Sequence, residues 1–96
     1  MATIRELKKD IRFLTEQLLA DTLEVSEVVN EKDQQQVLDL VVDIARFHNE
    51  LIVRANHPDG KENPKIIKSY FRKITSDLLI GCNNFYERIG NLIPEK

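Results

Sequence analysis

Cysteine occurs once in these 96 residues, at Cys82. A lone thiol forms no internal disulfide, so the fold must rest on packing, and nothing points to an oxidising compartment. Glycine and proline occur three times each. So little turn material argues against a chain of many short strands. No apolar run approaches the roughly 20 residues of a membrane-spanning helix. The opening MATIRELKKD holds no apolar stretch of the signal-peptide kind, so the expected location is the cytoplasm. An excess of one charge is missing as well. The net charge of -2 gives no global case for nucleic acid or a membrane surface. No phosphate-binding loop, G-x-G-x-x-G, G-x-S-x-G or paired-cysteine pattern occurs, so no cofactor is implied.

What the chain does contain is helical periodicity. Hydrophobic residues make up 42% and charged residues 31%, a balance suited to a globular domain and too apolar for disorder. One domain of this length, residues 1–96, can bury a core without metals or disulfides. Val37, Leu40, Val41, Ile44, Phe47, Leu51 and Ala55 recur at steps of three and four. A second line runs through Leu38, Val42, Ala45 and Ile52. The combined band is wider than the roughly 100° stripe of a helix packed on one side, and it predicts partners on more than one side.

Two further helices complete an all-α, up-down-up bundle. Thr3 and Glu6 form a capping box ahead of Ile4, Leu7, Ile11, Leu14 and Leu18. This first helix is expected over about 3–29, with a kink or break near Asp21-Thr22. Asn30 caps the second, over about 31–55, and the short link makes the two antiparallel. His57-Pro58-Asp59-Gly60 is a turn signal. Asn63-Pro64 restarts a helix over about 64–92, with Asn as N-cap and Pro at the first position. Its apolar seam is Ile67, Phe71, Ile74, Leu78, Cys82, Phe85, Ile89 and Leu92. Gly81 inside it costs about 1 kcal/mol relative to Ala, which a close helix approach would offset. Pro94 blocks continuation. A second apolar line on the third helix (Ile66, Tyr70, Leu79, Tyr86, Ile93) adds to the surplus. Surface of this kind predicts self-association, as a two-fold homodimer.

Charge is sorted along the chain. Residues 1–14 carry about +2, residues 15–50 about -7 and residues 51–73 about +4. Folded up-down-up, the bundle has one basic and one acidic end. Lys8, Lys65, Lys68 and Arg72 are the candidate contacts for a polyanion such as nucleic acid, although no basic motif interleaved with aromatics accompanies them. Pairing of basic with acidic ends in an antiparallel dimer is the alternative.

Candidate chemistry is sparse. Glu24 and Glu27 share a helix face, and Asp39 and Asp43 form an i, i+4 pair on the next helix. Packed together, the four carboxylates would suit a hard divalent cation. This layout superficially resembles the all-α nucleotide pyrophosphatases of the MazG type, which implies a metal-dependent hydrolase. It departs from them in having D-x-x-x-D where they have E-x-x-D. His48, beside the apolar seam, reads as a buried or interface histidine, since neither H-E-x-x-H nor E-x-x-H occurs. Cys82 reads as a small buried hydrophobe. Tyr70-Phe71 and Phe85-Tyr86 read as core or interface aromatics. In its length, helix layout and central stretch RFHNELIVRANHPDGKENPKIIKSYFRKI, the chain resembles a small, uncharacterised all-helical protein family of Bacteroides-type bacteria. That resemblance implies an all-α domain without an assigned activity, and no functional residue carries over. The leading expectation is a non-catalytic protein-interaction or assembly module.

Overall fold

Three long helices and no strand make up the described residues, 4–57 and 63–94, of a computed structural model. Helix α1 spans Ile4–Ser26, α2 Gln34–Asn56 and α3 Pro64–Leu92. They pack up-down-up, as the periodicity predicts. The Thr3 cap and the Pro58–Gly60 turn lie outside the described residues.

Local chemistry explains most of the boundaries. The N–H groups of Lys65 and Ile66 donate to Asn63 Oδ1 at 3.0 and 3.4 Å, and Pro64 occupies the first turn. That is the expected cap at the expected place. The α1–α2 link differs from expectation. Helix α1 runs unbroken through Asp21-Thr22 and ends at Ser26, three residues early. Asn30 takes an extended conformation and opens a short 3-10 turn, Glu31–Asp33, without a side-chain cap bond. The hairpin is tied instead by Gln34, whose Nε2 donates to the carbonyls of Ser26 (3.1 Å) and Val29 (3.2 Å). Those carbonyls follow the last turn of α1 and have no helical partner of their own.

Each helix buries one stripe. From α1 come Leu7, Ile11, Leu18 and Val25, from α2 Val37, Leu40, Ile44, Leu51 and Ala55, and from α3 Ile74, Leu78, Cys82, Ile89 and Leu92. Two threonines join the α1 stripe. Thr15 and Thr22 are almost wholly buried, and their hydroxyls donate to the carbonyls of Ile11 (2.8 Å) and Leu18 (2.7 Å). Bonded to its own helix, each hydroxyl is satisfied and its methyl packs like a valine's. Leu14, expected on the seam, sits at its half-buried edge, and Ile4 is exposed.

Helices α2 and α3 are locked by a cluster around Phe47. Its ring meets Phe85 edge-on with centroids 5.3 Å apart, and the Arg88 guanidinium lies 5.5 Å from the Phe85 centroid. Arg88 also pairs with Asp43 at 3.0 Å, and Arg54 with Asp77 at 2.9 Å. Such part-exposed pairs contribute little energy, roughly 0–1 kcal/mol each, but they suit only one register of the two helices. Gly81 is the close-approach position. A Cβ there would run into the Phe47 ring.

The bundle is slender, measuring 53 × 20 × 16 Å with a radius of gyration of 15.7 Å. A compact chain of this length would have a radius near 12–13 Å, by the usual scaling. Its accessible surface is 6993 Å², whereas a compact 11.2 kDa monomer exposes about 5,700 Å². The excess is about 1,300 Å². The second apolar line of α2 stays outside the core, with Leu38, Val42 and Ala45 exposed and Ile52 half-buried. Helix α2 packs against both α1 and α3, and its outer flank is left uncovered. Among the described residues, no helix is long and apolar enough to cross a membrane.

Gly81→Ala tests the α2–α3 contact. Helix propensity alone predicts a gain of about 1 kcal/mol. Overpacking against Phe47 should outweigh it, for a net loss of about 1–2 kcal/mol in urea unfolding.

Candidate functional site

The four carboxylates proposed as a metal cluster do not assemble. Glu24 and Glu27 are exposed near the end of α1. Asp39 accepts from Gln35 Nε2 of its own helix at 3.1 Å, and Asp43 is paired with Arg88 of α3. The reason is the rotation of α2. Its acids lie on the flank turned toward α3, away from α1. No group of three or more His, Cys, Asp or Glu among the described residues is placed to hold a metal ion.

The four cations proposed at the basic end are divided. Lys65, Lys68 and Arg72 line one groove between α1 and α3, together with Leu7, Pro64, Ile67, Phe71 and Thr75. Lys8 is not part of it. Arg5, Lys9 and Arg12 border a separate shallow depression with Phe13 and Glu16 on the outer face of α1. The basic end is thus two patches on different faces, one of them floored by apolar side chains.

His48 is not buried in the core. It is partly exposed on the outer edge of α2, with Nδ1 3.0 Å from Asn49 Oδ1. Cys82 is buried, and desolvation pushes its thiol above the ordinary value, which suits a packing residue and not a nucleophile. Tyr70, Phe71 and Phe85 pack half-buried against the core. Tyr86 is exposed on the α1 side of α3, where its phenol reaches Asp21.

The second apolar line of α2 is sharpened by where the charges of that helix fall. The charged residues of α2 are Asp39, Asp43, Arg46, Glu50 and Arg54, spaced four, three, four and four apart. That spacing gathers all of them on one flank, and two reach α3. The opposite flank, from Leu38 to Asn56, carries no Asp, Glu, Lys or Arg. Its outermost residues are Leu38, Val42, Ala45, Asn49, Ile52 and Asn56, at steps of four, three, four, three and four. This is the spacing of a seam that packs along another helix. Its position was readable from the charges alone.

Tyr86 offers a pH test of the α1–α3 contact. Burial, then its hydrogen bond to Asp21 and the carboxylate's charge, raise the phenol above its ordinary value of 10.0. A raised pKa in the folded state contributes stability below pH 10, which is lost as pH rises through the folded value. Melting temperature should therefore fall more steeply above pH 10 in the native chain than in Tyr86→Phe. Comparison of the chain with protein-family models, with curated proteins and with solved structures yields no match in any of the three.

Proposed function

We propose that the chain is a non-catalytic assembly module that pairs with a second copy across the outer face of α2. The observation that carries this reading is the charge-free seam Leu38-Val42-Ala45-Asn49-Ile52-Asn56. It runs for about 27 Å at 1.5 Å per residue, outside the core. Leu38 is 59% exposed and Val42 47%. In a monomer these side chains are hydrated at a cost of about 25 cal/mol per Å². Leu23 of α1 is also exposed, and helical phase puts it beside Leu38 at the acidic end of the hairpin. The excess surface of one chain exceeds the roughly 800 Å² that each partner buries in a standard interface.

Charge selects the orientation. A parallel pair would set the acidic hairpin against its own copy and the basic end likewise. An antiparallel pair sets acidic against basic at both ends and relates the copies by a two-fold axis. The axis falls near Ala45–Asn49, so Leu38 of one copy lies opposite Asn56 of the other, and Val42 opposite Ile52. A single polar residue such as Asn49 in an apolar seam is a known way of fixing register. The reading includes a cytoplasmic location, in keeping with a single cysteine and so no internal disulfide.

Sedimentation equilibrium decides the matter. The native chain should show a concentration-dependent monomer–dimer equilibrium, weakened by salt because end-to-end charge contributes. Val42→Glu changes an exposed side chain, so folding by circular dichroism should be unaffected. It would place two carboxylates in the interface and should weaken the dimer by at least ~2 kcal/mol, about 30-fold. A strictly monomeric native chain, or a dimer indifferent to Val42→Glu, sinks the proposal.

A further inference from the structure

The α1–α3 groove at the basic end is a second surface, bordered by the core residue Leu7 and by no described residue of α2. Leu7, Ile67 and Phe71 floor it, and Lys65, Lys68 and Arg72 stand along it. Among the described residues no acid lines it, and neither salt bridge between described residues uses these three cations. Positive charge in the first turns of α3 opposes the helix dipole, so helix stability does not account for Lys65 and Lys68. From Pro64 to Thr75 the lining extends about 16 Å along the helix, or three turns. The groove encloses about 710 Å³, room for several large side chains.

We infer that this groove docks an acidic amphipathic helix of a partner protein. Both halves of the lining select for it. A nucleic-acid backbone would satisfy the cations but leave the apolar floor uncovered. An acyl chain would fill the floor, yet the groove is open along its length and would leave one side of the chain in water. An amphipathic helix sets residues i, i+4 and i+7 on the floor, places flanking carboxylates against Lys65, Lys68 and Arg72, and turns its polar back to solvent. Charge complementarity decides its sign.

The test uses the full-length chain and a fluorescein-labelled helical peptide of roughly 14 residues, with Leu at i, i+4, i+7 and i+11 and Glu on both flanks. Fluorescence anisotropy should give a Kd in the micromolar range. The double variant Lys68→Glu/Arg72→Glu should weaken it about tenfold or more, as should Gln for Glu in the peptide. Ile67→Asn should do the same through the floor. All three substituted positions are at least partly exposed, and melting curves check that the variants fold. Val42→Glu should bind the peptide as the native chain does, which separates this inference from self-association. Several results overturn it: no peptide binding by the folded native chain, or equal binding by Lys68→Glu/Arg72→Glu. So does tighter binding of a double-stranded DNA oligomer or of phosphatidylserine vesicles.

Discussion

Burial of a single stripe from each of three long helices holds this protein together, and most of its other properties follow from that arrangement. Helices of 23, 23 and 29 residues are long for a chain of this size. Laid side by side, they form a rod in which no residue lies far from water. Among the described residues, fifteen hydrophobic side chains make up the buried core. Apolar side chains beyond that stripe have nowhere else to go. Leu38, Val42 and Val53 of α2, and Leu79, Tyr86 and Ile93 of α3, are exposed for this reason.

Within that limit, polar groups are placed where they cost least. Thr15 and Thr22 sit in the core because their hydroxyls return to the preceding turn. The charges of α2 collect on the flank that faces α3, where Asp43 and Arg54 find partners. Gathering charge on one flank empties the other. The charge-free seam of α2 and the ion pairs to α3 are two consequences of one pattern. At the basic end, the cations of α3 rise beside an apolar floor and are not spread over an open surface. That combination suits the amphipathic partner inferred above better than a general polyanion.

Much of this was legible in the residues. Asn63-Pro64 starts α3, and the seam Ile74-Leu78-Cys82-Ile89-Leu92 enters the core, because capping and helical period are local. Gly81 in mid-helix pointed to a close approach, and Phe47 supplies it. The end of α1 was less legible. Val25, Val28 and Val29 continue an apolar pattern, but Gln34 reaches back to the Ser26 and Val29 carbonyls and closes the turn early. Leu14 and Thr15 are adjacent, and helical phase allows either one onto the seam. A hydroxyl that bonds its own helix lets the threonine in, which a hydropathy reading does not anticipate.

The amino-acid sequence by itself determined the number of helices, their order, most of their ends and the sorting of charge into two poles. These depend on caps, period and composition, all of which act within a few residues. Only the tertiary structure decided how each helix is rotated about its own axis. The two apolar lines of α2 make a band wide enough to offer more than one buried face. Contacts to other helices, Phe47 on Gly81, Phe85 against Phe47, and Arg54 and Asp43 to α3, select among them. That rotation kept Asp39 and Asp43 apart from Glu24 and Glu27, separated Lys8 from Lys65, Lys68 and Arg72, and left the seam from Leu38 to Asn56 facing outward. Rotation is a property of pairs of helices, and no single helix encodes it.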